Sequence, residues 1–122
     1  MDSILRRLFE FRDTIKLFHF QTKSYGAHKA ADQLEKKFSE LLDDFMEVLQ
    51  GSEGKRIGAS SIQVTIPSLV SKTNALDYST QFLKYLQQLI SKFNKSGSAD
   101  LSNILADMQA AVNQFLYLLT FK

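Results

Sequence analysis

Residues 27–49 read AHKAADQLEKKFSELLDDFMEVL, and their apolar positions recur at intervals of three and four. That spacing places one apolar stripe along a helix with 3.6 residues per turn. The stripe consists of Ala27, Ala31, Leu34, Phe38, Leu41, Leu42, Phe45 and Leu49. Because a helix with one apolar face must bury that face against another element, this stretch predicts a bundle of helices.

Three further segments have the same periodicity, so the 122 residues are expected to form one all-α domain. In chain order, the predicted helices span about residues 3–24, 27–49, 73–94 and 98–120. Asp2 or Ser3 is expected to cap the first helix, Gly26 to end it, and Gly51 to end the second. The predicted core contains Leu8, Phe11, Ile15, Phe18, Leu34, Phe38, Phe45, Leu83, Leu86, Ile90, Leu105, Met108, Val112 and Phe115.

The link between the second and third helices, residues 51–72, is much longer than the two outer turns. A helix of about 22 residues is about 33 Å long, whereas an extended link of similar length reaches up to about 70 Å. The link can therefore return along the bundle and leave the second and third helices parallel. The predicted architecture is a four-helix bundle with one long crossover, which is the ferritin-like arrangement.

Composition excludes several classes of protein. The chain contains 15 basic and 13 acidic residues and has no concentrated basic stripe, so we expect no DNA binding. It contains no cysteine, which excludes a disulfide framework and a thiolate metal site. No segment is as long as a membrane span and no secretory leader is expected, so no membrane partner is expected. The expected location is cytoplasmic, or virion-associated for a virus-encoded protein.

Candidate chemistry is confined to five residues. His19 and His28 are the two histidines, and Asp32, Asp43 and Glu47 follow on the second helix. Neutral imidazole with carboxylate suits iron, with manganese or zinc as alternatives. At about 100° per residue, His28 and the three acids fall within about a 100° arc, centred about 145° from the middle of the core stripe. These side chains cannot face their own core, so a metal site must be completed by a second subunit.

The first helix predicts where that second subunit binds. Leu5, Phe9 and Phe20 are expected on the side of this helix that faces away from the core, beyond His19. Outward aromatic groups often mark contacts with partners. We therefore expect a homo-oligomer, at least a dimer, that associates through the first two helices and brings His19 toward the acidic face of another copy.

The same residues also fit a second interpretation. A histidine at a helix start is commonly a surface residue, and one on an aromatic flank is commonly packed and hydrogen-bonded. The acids of the second helix then form a solvated face paired with lysines at helical spacing. Under this interpretation the protein is a non-enzymatic structural or interaction protein, which docks through Phe9, Phe20 and the acidic face.

Residues 8–50 resemble the Dps-like mini-ferritins. The family has a histidine, an aromatic residue and then a lysine on its first helix, and residues 19–23 read HFQTK. A second histidine opens the next helix, with acids four, fifteen and nineteen positions later; His28, Asp32, Asp43 and Glu47 match these offsets. The resemblance implies a di-iron ferroxidase site between two-fold-related subunits. One subunit would supply His19, His28 and Asp32, and the other would supply Asp43 and Glu47.

Some positions depart from that family. Phe20 stands where a tryptophan is usual, Val48 stands where an arginine follows the last glutamate, and the loop between the histidines is three residues shorter. We expect no basic tail of the kind with which many such proteins bind DNA. Residues 19–51 also resemble small uncharacterised helical proteins of tailed phages and large DNA viruses, a resemblance that implies no known activity.

Overall fold

The computed structural model describes residues 1–122 and contains four helices and no strands. These are α1 (Asp2–Gln21), α2 (Tyr25–Glu53), α3 (Lys72–Lys95) and α4 (Ala99–Leu118). The prediction of an all-α chain with four main helices is confirmed. None of the helices combines the length and the apolar character that a membrane crossing requires.

The junction between α1 and α2 differs from the expected one. The hydroxyl oxygen of Ser24 accepts a hydrogen bond from the backbone N–H of Ala27 at 3.2 Å, which makes Ser24 the N-cap of α2. A residue with the extended conformation of an N-cap cannot continue the preceding helix. α1 has already ended at Gln21, because Thr22 is extended with a ψ of 142°, and Gly26 lies in the first turn of α2 instead of ending α1.

Two other helix ends were also predicted wrongly. Gly51 lies within α2, and the helix ends at Gly54, whose φ of 69° is the left-handed conformation that glycine adopts without strain. At the other end of the chain, α1 begins at Asp2 after Met1, with no side chain capping its first turn. Neither Asp2 nor Ser3 therefore acts as the expected cap.

The core follows the predicted stripes. Every predicted core residue is buried except Ile90, which is half-buried. At its centre the rings of Phe11 and Phe82 stack with centroids 4.0 Å apart and planes 7° apart, and Phe38 packs against both. The buried polar residues are Thr14, His19, Ser79 and Ser102, so no carboxylate lies inside the bundle. The bundle interior therefore lacks the ligands of an internal metal centre.

Polar contacts join α1 to α3. The hydroxyl of Tyr78 donates a hydrogen bond to Thr14 Oγ1 at 3.2 Å, and the Arg7 guanidinium lies 4.4 Å from the ring centre of Tyr85. Burial raises the pKa of both tyrosines above its ordinary value. As α3 advances from Tyr78 to Tyr85, its contacts on α1 move back from Thr14 to Arg7, so these helices run antiparallel.

The segment between Gly54 and Ser71 is held by three hydrogen bonds from three different positions. They join Ile57 N–H to Gln50 Oε1 at 2.9 Å, Thr65 N–H to Glu10 Oε2 at 2.9 Å, and Ser68 Oγ to Gln21 Oε1 at 2.7 Å. The last bond brings the start of α3 to the end of α1. In addition, the Lys72 ammonium donates to the Phe121 carbonyl at 2.7 Å. One end of the bundle therefore contains the α1–α2 junction, the start of α3 and the end of α4.

Candidate metal site at the junction of α1 and α2

His19 and His28 form a reciprocal pair across the junction. Their rings stack with centroids 3.8 Å apart and planes 19° apart. His19 Nδ1 lies 2.8 Å from the His28 carbonyl oxygen, and His28 Nδ1 lies 2.8 Å from the His19 carbonyl oxygen. Because a carbonyl oxygen can only accept, both Nδ1 atoms must carry a hydrogen and donate it. In the neutral ring the lone pair is then on Nε2.

The two Nε2 atoms remain available. Neither has a hydrogen-bond partner in the chain, and neither is sealed from solvent, although His19 as a whole is only 9% exposed. Metal-binding histidines commonly donate their other ring N–H to a carbonyl, which fixes both the tautomer and the ring orientation. The backbone at this junction has that effect on both rings.

Aromatic neighbours flank the pair. Phe20 lies edge-on to the His19 ring at 5.2 Å, and the Tyr25 ring stacks beside His28 at 6.3 Å. Tyr25 was missed by the sequence analysis, because an exposed residue in the first turn of a helix belongs to no apolar stripe. The helix start set by Ser24 is the signal that would have placed Tyr25 beside His28, three residues later.

Asp32 lies one turn beyond His28 and is half-buried. Its Oδ2 is 3.0 Å from the Lys36 ammonium, an ion pair at the helical spacing expected from the sequence. The hydrogen bond from Lys36 lowers the pKa of Asp32 most, and the Lys36, His19 and Lys16 charges lower it further. Asp32 is therefore held as a carboxylate beside the imidazole pair.

Asp43 and Glu47 lie far from that cluster in the single chain. Both are exposed, and they follow Asp32 by eleven and fifteen residues on α2. At 1.5 Å per residue, those intervals separate them from Asp32 by about 16 and 22 Å. Accordingly, no group of three or more histidine, cysteine, aspartate or glutamate residues in the chain is placed to hold one metal ion. The structure brings His19, His28 and Asp32 to one region and leaves the other two acids apart.

The three predicted interface residues have different surroundings. Leu5 belongs to the bundle's own core with 9% exposure, so its expected position on the outward side of α1 is wrong. The first two turns of α1 bury Ile4, Leu5 and Leu8 together, which is a wider arc than a single stripe. Phe9 is half-buried under the Arg12 guanidinium, whereas Phe20 is 70% exposed beside the Lys16 ammonium.

Comparison with known protein families assigns the chain to one of them. Residues 19–119 match the profile described as Family of unknown function (DUF5856), and the chain belongs to that family. The matched region begins at His19 and includes α2, α3 and α4. No curated protein and no solved structure matches the chain.

Proposed function

We propose that this protein binds ferrous iron as a substrate, at a site shared by two copies of the chain, and promotes its oxidation. The observation that carries the proposal is the reciprocal hydrogen bonding of His19 and His28. It fixes both Nδ1 atoms as donors to carbonyl oxygens and leaves both Nε2 lone pairs for a metal. Imidazole with carboxylate is a ligand set for iron, with manganese or zinc as alternatives.

The spacing on α2 supports a site between two copies. Consider two α2 helices that cross antiparallel about a two-fold axis between positions 37 and 38. Each residue of one copy then faces a residue of the other copy, and the two residue numbers add up to 75. His28 then faces Glu47 of the second copy, because 28 and 47 sum to 75. Asp32 faces Asp43 of the second copy, because 32 and 43 also sum to 75. A single register therefore brings both Asp43 and Glu47 of one copy to the His28 and Asp32 side of the other copy.

The charges along this face support the same register. The N-terminal half of the outward face contains the bases Lys29 and Lys36 with His28 and Asp32, whereas its C-terminal half contains the acids Glu40, Asp43 and Glu47 and no base. An antiparallel partner places the acidic half against the half that contains the bases, and the one pair of like charges that meets, Asp32 with Asp43, is the pair that a bound cation would neutralise. At the crossing point Lys36 faces the half-buried Ser39 of the second copy, a small side chain that allows close approach. The pairing is isologous and repeats every contact twice.

In this site the protein supplies ligands and position. Carboxylate and imidazole together bind ferrous ions, which give electrons to dioxygen or peroxide, and the carboxylates stabilise the ferric product by charge. The bundle arrangement fits the proposal as well. The bonds of residues 57, 65 and 68 to α2 and α1, with the antiparallel α1 and α3, support a ferritin-like bundle with one crossover.

Anaerobic titration with ferrous iron tests the proposed site. The wild type is expected to bind iron and to oxidise it when air is admitted, whereas the double variant Asp43→Asn, Glu47→Gln should lose both activities. The matched control is Asp44→Asn, Asp107→Asn, which removes two carboxylate charges from exposed residues outside the outward face of α2. Equal binding and oxidation by the first variant and the wild type would contradict the proposal.

Cross-linking tests the register separately. Because the chain has no cysteine, a single introduced thiol reports one position. In the proposed dimer two copies of residue 36 lie near the axis, so Lys36→Cys should cross-link to itself with a short bifunctional reagent. Residue 37 lies about 100° around the helix. The control Lys37→Cys should therefore remain a monomer on a denaturing gel, and equal yields from both would contradict the register.

A second candidate function is favoured by a specific observation. The hydrogen bonds of the histidine pair are complete without a metal, and Asp32 already has Lys36 as a partner. The same geometry therefore serves a non-enzymatic interaction protein in which the histidines fasten α1 to α2 and the exposed Phe20 contacts a partner. Self-association with no iron bound, measured by light scattering and metal analysis, would favour this function, which includes a virion-associated role.

A further inference from the structure

Exposed apolar side chains are concentrated at one end of the bundle. Six of the eight large apolar residues that are most exposed lie there: Phe20, Tyr25, Val70, Leu76, Tyr117 and Phe121. They come from four segments, which the Ser68–Gln21 and Lys72–Phe121 hydrogen bonds and the stacked histidines hold together. We name this region the aromatic end and define it as residues 16–29, 68–77 and 117–122.

The aromatic end is also basic. It contains five lysines, Lys16, Lys23, Lys29, Lys72 and Lys122, against one carboxylate side chain, Asp77, and the acid that follows Lys29 on α2, Asp32, is already paired with Lys36. The opposite end of the bundle, residues 1–7, 47–56 and 88–103, mixes bases with acids and exposes no large apolar side chain of this kind. The combination of exposed rings with lysines is therefore a property of one end alone.

An open cavity lies within the aromatic end, between the α1–α2 junction and the start of α3. Its volume is about 650 Å³. The polar side chains around it belong to Gln21, Thr22, Lys23, Ser24, Ser68, Ser71 and Lys72. None of these is acidic, and hydroxyl with ammonium groups are donors suited to a phosphate. Val70, which is 83% exposed, forms part of its rim.

We propose that the aromatic end docks on an anionic lipid surface. Exposed rings and aliphatic tips enter the boundary between headgroups and acyl chains, while lysines beside them attract negatively charged headgroups. The apolar side chains are spread over four segments, which a fluid surface accepts without a matching shape. If a second copy bound through its own aromatic end, five lysines would face five lysines. This contact between like charges disfavours an end-to-end dimer.

This proposal does not depend on the proposed iron site. It also differs from the expectation of no membrane partner, which came from the lack of a spanning segment. A spanning helix and a docking surface are separate properties, because a peripheral protein needs only exposed apolar tips and charge. The sequence alone did not show this surface, since its residues lie up to about a hundred positions apart and meet only in the folded chain.

Vesicle sedimentation tests the proposal with the wild type and two pairs of variants. The wild type is expected to sediment with phosphatidylcholine vesicles that contain one third phosphatidylserine, but not with phosphatidylcholine alone. The variant Lys23→Glu, Lys122→Glu should lose more than about 25-fold in affinity, since each lysine near the surface contributes about fivefold. The variant Val70→Ser, Phe121→Ser should also bind more weakly. Circular dichroism confirms that each variant folds.

The matched control reverses two charges at the opposite end, Lys92→Glu with Lys95→Glu, and should bind the vesicles as the wild type does. Four results would overturn the proposal. They are no sedimentation with either vesicle, equal loss from both lysine pairs, release by inorganic phosphate at constant ionic strength, and recognition of a protein partner by this end without any affinity for vesicles. The third would indicate a small-anion site and the fourth a protein-docking site.

Discussion

Two pairs of stacked rings in this molecule have similar geometry but different hydrogen-bonding capacity. Phe11 and Phe82 stack at 4.0 Å inside the bundle, and His19 and His28 stack at 3.8 Å at its end. The phenylalanines have no polar atoms and contribute only burial and ring contacts. The histidines use one nitrogen each to bind the backbone and keep the other free. The comparison separates a ring pair that contributes only to stability from one that also keeps two nitrogen atoms available to a ligand.

The largest effect is expected for Phe38, which is fully buried and packs on the rings of both Phe11 and Phe82. Phe38→Ala should lower the free energy of unfolding by about 3–5 kcal/mol, because the cavity it leaves cannot collapse completely. Urea denaturation followed by far-UV circular dichroism measures the change. A loss below about 1 kcal/mol would show that the aromatic cluster does not dominate the core.

The imidazole pair should contribute less to the free energy of unfolding than Phe38 does. His28→Ala removes one ring contact and one hydrogen bond, and should cost about 1–2 kcal/mol in metal-free protein. His19→Ala should cost a similar amount. Each ring donates its hydrogen bond to a backbone carbonyl oxygen, so removing one ring removes only that ring's own hydrogen bond. The coupling energy of the double-mutant cycle therefore isolates the contact between the two rings. We expect a coupling of about 0.5–1.5 kcal/mol, and zero coupling would contradict the stack.

Periodicity predicted the four helices and nearly all of the core, since burial in a bundle follows the 3.6-residue repeat. It did not predict the α1–α2 junction. Ser24 and Gly26 are both turn signals within three residues, and only the hydrogen bond from Ala27 N–H shows that the serine determines the boundary. The reciprocal histidine bonds follow from that junction and have no periodic signature. Leu5 was misplaced because the first turns of α1 are covered more widely than one stripe.

Ser24 caps the start of α2 at the histidine junction, and its removal should have a smaller effect. Ser24→Ala should destabilise the chain by about 1 kcal/mol, because the Ala27 N–H loses its acceptor. The matched control is Ser98→Ala at the start of α4, where the serine makes no capping bond. That variant should change the free energy of unfolding by less than about 0.5 kcal/mol. Equal losses in the two variants would mean that the cap does not fix the junction.

The smallest effect concerns Asp32. Its pKa is lowered in the folded chain, chiefly by the hydrogen bond from Lys36, so this pair stabilises the fold above about pH 4 and the contribution disappears as the pH falls through the lowered value. Lys36→Met should return the pKa of Asp32 toward its ordinary value of 3.8. Carbon-detected NMR titration of the carboxylate measures it. An unchanged pKa in the variant would remove Lys36 as the cause.

Mixing two inactive variants tests the shared iron site most directly. His28→Gln, Asp32→Asn removes one half of each site, and Asp43→Asn, Glu47→Gln removes the other half. In a two-fold dimer, a mixed pair contains one intact site and one that lacks both halves, so an equal mixture should recover about a quarter of the wild-type iron bound per chain. Each variant alone should bind none. Mixed dimers that form and still bind no iron would contradict a site shared between copies.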